Sequence, residues 1–262
     1  MNLELRNFEL FKIMIELRNI SKTFNTGSAA KISALKDINL TIQQKEFVVV
    51  VGSNGSGKST FLNIIAGSQK PDHGKILFEN KEVNKLHEYQ RSNWIARIFQ
   101  NPLMGTAPEL TILENFRLAA LRTKNKTLTI GTKNKFRETV REKVSMLNLG
   151  LENKVDQLMG TLSGGQRQAL TLQMAVMDDA KILLMDEPAG ALDPKTSETL
   201  MTLAKKIIDD FGLTTVLVTH QMKDAIRYGS RIIQMAEGTI KKDLTGDEKM
   251  NLRLQDIYAW FD

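Results

Sequence analysis

At 262 residues, 42% hydrophobic and 25% charged, the chain suits one large α/β domain or a core with an inserted subdomain, and it excludes disordered and fibrous classes. Without cysteine it has no disulfide framework and no thiolate metal site, and the cytosol is the default compartment. The formal charge of +6 fits a lysine-rich solvated surface, or attraction to an anionic membrane or a polyphosphate.

Read from the N-terminus, residues 3–7 (LELRN) are echoed at 15–19 (IELRN), too short a likeness for a structural repeat. Glu4 and Glu9 interrupt the apolar residues there, so the segment does not read as a secretory signal. Residues 1–13 are expected to be an extension, and the domain to start at Met14. Apolar and β-branched runs predict strands over 15–17, 38–42 and 47–51. The last of these, Phe47–Val51, is the longest uninterrupted apolar run. It is far short of the about 20 residues that cross a bilayer, but it suits a strand buried on both faces. A glycine-rich loop follows, then a helix over 59–66. Strands at 95–99, 182–185 and 214–219 complete an alternation that argues for a parallel sheet covered by helices.

Between these strands the pattern changes. Thr111 and Glu114 form a capping box for a helix toward Leu121, and Phe136, Val140, Val144, Leu147 and Leu151 keep helical spacing. Residues 101–178 therefore read as a helical insertion. Within it, 122–135 is rich in Lys, Thr and Asn and reads as an exposed loop. With almost no aromatic residues among its charges, it argues against nucleic-acid binding. A hairpin over 232–235 and 239–240, then one helix bearing Leu252, Ile257 and Trp260, close the chain.

The loop Gly52-Ser53-Asn54-Gly55-Ser56-Gly57-Lys58-Ser59 matches the phosphate-binding pattern G-x-x-x-x-G-K-[ST], with a buried strand before it and a helix after it. Glycines let several backbone N–H groups converge on one anion, and the helix start adds a favourable dipole. Lys58 would reach the terminal phosphates, and the Ser59 hydroxyl would ligate Mg²⁺. The strand over 182–185 runs into Asp186 and Glu187: the first is placed to hold Mg²⁺, the second to polarise an attacking water. His220 and Gln100 each follow a strand. Taken alone, each is as well explained by a structural role; beside a phosphate loop, His220 could bind the γ-phosphate and Gln100 the metal or the water.

Leu162-Ser163-Gly164-Gly165-Gln166 precedes an apolar helical stretch, and Ser163 and Gln166 match a capping box. Two adjacent glycines weaken a helix start unless bare N–H groups are needed there, which suggests a second anion site.

These motifs, in this order, resemble those of ATP-binding cassette (ABC) transporter nucleotide-binding subunits: the phosphate loop, Gln100, the LSGGQ signature at 162–166, Asp186-Glu187, Ala191-Leu192-Asp193 and His220. The likeness runs from Met14 onward. It implies an α/β P-loop NTPase (RecA-like) core over 14–100 and 179–245 with an antiparallel β subdomain, an inserted helical subdomain over 101–178, and a C-terminal helix over 246–262. It implies ATP hydrolysis with Mg²⁺ held by Ser59, Gln100 and Asp186. Two copies would pack head to tail, so that ATP on the loop and Thr60 of one meets Ser163, Gly164, Gly165 and Gln166 of the other, with Asp193 at the interface. Phe24 stands where the family stacks an aromatic ring on adenine. Membrane permease subunits and an extracytoplasmic substrate-binding protein are the implied partners, and the cytoplasmic face of the cell membrane is the implied location.

Within the family, the stretch 101–108 followed by LTILEN, the continuation RQALTLQMAV and ALDPKTSE resemble tryptophan/tyrosine-type uptake ATPases. Pro188 departs from that group, which commonly has histidine after the acidic pair. An amino-acid importer, an exporter or lipoprotein-release ATPase, and a soluble ATPase of iron–sulfur assembly are the three readings that follow.

Overall fold

The computed structural model describes residues 12–25, 31–121, 134–177 and 180–261. Residues 1–11 of the expected extension and 122–133 of the expected loop lie outside the described residues. Strand β1 (Ile13–Asn25) begins one residue before Met14, and the carbonyl of Lys12 accepts from Gln44 N. Lys12 and Ile13 thus belong to the domain and not to an extension.

A four-stranded antiparallel sheet has the order β2 (Lys31–Gln43), β1, β4 (His73–Phe78), β5 (Lys81–Glu82). Beside it stands a six-stranded sheet, in the order β10 (Thr239–Thr245), β9 (Arg231–Ala236), β3 (Phe47–Val51), β8 (Thr214–Val218), β7 (Ile182–Asp186), β6 (Ile95–Ile98). Its strands are parallel except β10.

The period of two along β3 divides the core. Val48 and Val50 face α1 (Lys58–Ala66) and the antiparallel sheet, while Phe47, Val49 and Val51 face the opposite cluster. With every residue of β3 and β8 buried, neither strand has a solvent face, as expected where elements cover both sides of a parallel sheet.

Short helix α2 (Glu88–Arg91) brings Arg91 into the first core, where its guanidinium donates to the carbonyls of Leu86, Ile64, Ile65 and Val83. Burial pushes this guanidinium down to about 10. On the other face, α3 (Ile112–Ala119), α4 (Asn134–Ser145) and α5 (Gly164–Ala175) form the helical region. Thr111 and Glu114 do form the capping box of α3. The apolar stripe outruns its helix: α4 stops at Ser145, yet Leu147 and Leu151 are buried in the same cluster.

The long helix α6 (Pro194–Phe211) packs against α5, and α7 (Met222–Arg227) follows β8. The C-terminal segment differs from the expected single helix. It holds two short ones, α8 (Gly246–Met250) and α9 (Leu254–Tyr258), and only Ile257 of the three apolar residues lies within a helix. Leu252 falls in the turn between them and Trp260 after the second, while both pack against the core.

Candidate functional site

The β3–α1 loop closes one wall of a cleft of about 750 Å³. Asn54, Gly55, Gly57, Lys58, Ser59 and Thr60 line it from the loop; Gln100, Glu187 and His220 line it from the ends of strands. Phe24 and Ala34 of the β1–β2 ribbon close the far end together with Ile32, which pairs with Phe24 in register.

The glycines of the loop answer to its surroundings. Gly57 has φ +102°, and a Cβ there would lie 2.4 Å from Ala34 O. A Cβ on Gly52 would lie 2.4 Å from Met235 O, so the strands on either side hold this backbone too closely for a side chain. The carbonyl of Ser56 accepts from Gly238 N, fastening the loop to the β9–β10 turn. No side chain caps α1, so its first N–H groups have no partner within the helix. Lys58 Nζ donates to Gly52 O at 2.8 Å and Ser53 O at 3.0 Å, two of its three donor positions. Burial pushes the Lys58 ammonium below its usual range, while Glu187 and Asp186 pull it back up.

Across the cleft, Glu187 Oε2 lies 3.0 Å from His220 Nδ1. Its φ of +46° is left-handed, an uncommon conformation for a residue with a Cβ. The turn is pinned by Glu187 N donating to Val218 O and Gly190 N donating to Glu187 O. This bend turns the carboxylate into the cleft while the preceding Asp186 stays at the end of β7. Burial pushes the Asp186 carboxyl up, and the Arg97 guanidinium, 3.6 Å away, pulls it back down.

Gln168 on α5, which sequence reading passes over, donates to Phe99 O at 2.7 Å and Pro188 O at 3.0 Å. One buried amide thus ties the backbone next to Gln100 to the backbone next to Glu187. Its only signal in the chain is its place in the RQALTLQMAV stretch, on a helix that also buries Arg167, Thr171 and Gln173.

The second glycine-bearing helix start lies apart from this cleft. Ser163, Gly164, Gly165, Gln166 and Asp193 do not line it. Ser163 Oγ accepts from Gln166 N at 3.2 Å, and Gln166 Oε1 accepts from Ser163 N at 3.1 Å. Buried Arg167 holds the approach to the helix, donating to Met159 O, Gly160 O and Leu162 O. Asp193 caps α6 by accepting from Thr196 N at 3.1 Å. Gly165 has a packing reason as well: a Cβ there would lie 2.3 Å from Thr196 Cγ2.

A glycine loop at an uncapped helix start, a buried lysine, and carboxylates at the end of β7, one strand beyond β8, suit a polyphosphate and the water that attacks it. The ABC transporter family model matches residues 35–190. The chain belongs to the ABC transporter family. As such it is an ATP-binding, ATP-hydrolysing subunit. It is 37% identical to the tyrosine transport ATP-binding protein of Clostridioides difficile, over 95% of this chain and 99% of that one. It is also 36% identical to a spermidine/putrescine import ATP-binding protein of Spiroplasma citri, over 91% of this chain and 63% of the relative. Among solved structures, a dimeric post-hydrolysis state of the cassette MJ0796 bound to ADP and Pi matches with a TM-score of 0.77. That likeness has 35% identity and covers 88% of this chain and 98% of that one. Among the described residues, this ABC subunit has no helix long and apolar enough to cross a membrane.

Proposed function

We propose that this subunit drives uptake of an amino acid or a related small solute, working as a head-to-tail dimer under permease subunits at the cytoplasmic face of the cell membrane. An extracytoplasmic binding protein would deliver the solute. The observation that carries the dimer is the separation of the two anion-binding helix starts. The cleft at α1 is lined on one side by catalytic candidates, and the signature helix start lies outside it. A second copy would bring its Ser163, Gly164, Gly165 and Gln166 over the open side, with Asp193 at the contact. The dimeric MJ0796 cassettes support this reading, and the tyrosine transport relative supports the solute class.

The residues of the cleft suit in-line hydrolysis. Loop N–H groups from Gly52, Ser53, Asn54, Gly55, Gly57 and Thr60, together with Lys58, would hold the phosphates, Ser56 N being taken by Ser53 O, and Phe24 would offer its ring to the adenine. Ser59, Gln100 and Asp186 would supply oxygens to hold Mg²⁺, which would neutralise phosphate charge. Glu187 accepts a proton from water as the water oxygen bonds to the γ-phosphorus and the bond to the ADP oxygen breaks. His220, whose Nδ1 lies 3.0 Å from Glu187 Oε2, would orient that carboxylate and contact the γ-phosphate.

Mixing two inactive variants tests the shared site. Ser163→Arg and Lys58→Ala should each abolish ATP hydrolysis. Co-assembled in equal amounts, they should recover part of the wild-type rate, because one of the two composite sites is then intact. Mixed dimers demonstrated by tagged pull-down but showing no recovered hydrolysis would count against the head-to-tail arrangement.

A further inference from the structure

Asp186 carries a neighbour that the hydrolysis scheme does not use. Arg97 belongs to β6, the edge strand of the six-stranded sheet, beside β7. Its Nη2 lies 3.6 Å from Asp186 Oδ2, its guanidinium stacks 4.6 Å from the centroid of Phe99, and its Nη1 reaches Ser68 Oγ at 3.5 Å. Its Nε is buried with no hydrogen-bond partner. Arg97 is also among the residues bordering a groove of about 380 Å³, with Met104, Thr106 and Leu118. A cation thus stands at the carboxylate proposed to hold the metal, with its Nε left without a partner.

We propose that Arg97 is a positioning residue that occupies Asp186 until Mg²⁺·ATP arrives, so that metal and guanidinium compete for one carboxylate. The proposal rests on the reading of Asp186 as a metal ligand. Two positive groups on one small carboxylate repel each other, and the hydrated divalent ion, tied to the nucleotide, carries the greater charge. Arg97 would therefore support ATP bound without metal, by cancelling Asp186 beside the phosphates, and oppose the gain that the metal brings. Both effects act on one ratio: the Kd for ATP in EDTA divided by the Kd in Mg²⁺.

The test is equilibrium ATP binding by the full chain carrying Glu187→Gln, so that no turnover intervenes, in EDTA and in excess Mg²⁺. Replacing the guanidinium in Arg97→Met should raise the ratio about fivefold, the scale of a partly exposed ion pair. Arg97→Lys keeps the charge and should stay within about twofold of the parent ratio. A merely structural loss would weaken both affinities alike and leave the ratio unmoved. Asp186→Asn separates the two ideas and should lower the ratio severalfold if Asp186 serves the metal. A collapse in Asp186→Asn with an unchanged or lower ratio in Arg97→Met overturns the competition alone. A ratio that survives Asp186→Asn overturns the metal-ligand reading, and the competition with it. Should Arg97→Met fail to fold, Arg97→Gln is judged by the same criterion.

Discussion

The starts of α1 and α5 are both glycine-bearing helix N-termini on which an anion could sit, and they are built in opposite ways. At α1 the N-cap is a glycine with φ +102°, no side chain caps the helix, and the next residue is a buried lysine. At α5 the N-cap is exposed Ser163, whose capping box with Gln166 satisfies the N–H groups of Ser163 and Gln166 but not those of Gly164 and Gly165. The first is an unsatisfied site braced on both sides by strands, with catalytic candidates facing it. The second is capped in part by its own side chains and stands away from the cleft. The capping box still leaves the N–H groups of the two glycines as donors for an anion.

That contrast can be broken at several points. The largest effect is expected at Glu187. Glu187→Gln should lower kcat about 10²–10⁴-fold while ATP binding persists, and ATP should then shift the protein to a dimer in size-exclusion chromatography. Rapid turnover by this variant would remove Glu187 from the role of base. Next comes Gly57→Ala, which forces a Cβ against Ala34 O. It should cost about 2–4 kcal/mol of folding stability and abolish binding of a fluorescent ATP analogue by the single chain.

Gly165→Ala meets a threonine methyl and not backbone, so a smaller loss of about 1–3 kcal/mol is expected by chemical denaturation. Its nucleotide binding as a single chain should remain near wild type while hydrolysis falls. If Gly165→Ala emptied the cleft as Gly57→Ala should, the two helix starts would not be independent.

Much of this was legible in the chain. The five-residue apolar strand before the phosphate loop, the capping boxes at Thr111 and Ser163, and the strand ending in Asp186-Glu187 are local signals, carried by residues close in sequence. Other features were not. The chain-order reading has no counterpart for β4, whose strand character comes from pairing with β1, nor for the length of α6. The C-terminal segment was misread as one helix because Leu252, Ile257 and Trp260 share a core without sharing a helix. Arg97 carries no motif, and the RQALTLQMAV stretch gives Gln168 no role of its own; each is defined by what lies across from it.

The order and spacing of the motifs by themselves determined the family, the nucleotide and the division into α/β and helical parts, because each motif is a short stretch whose chemistry its immediate neighbours dictate. Only the tertiary structure decided why Gly57 and Gly165 have no side chain, that Glu187 turns left-handed toward His220 while Asp186 meets Arg97, and that the signature lies apart from the cleft. Those are matters of backbones and charges brought together from distant parts of the chain, and no local pattern of residues encodes such distances.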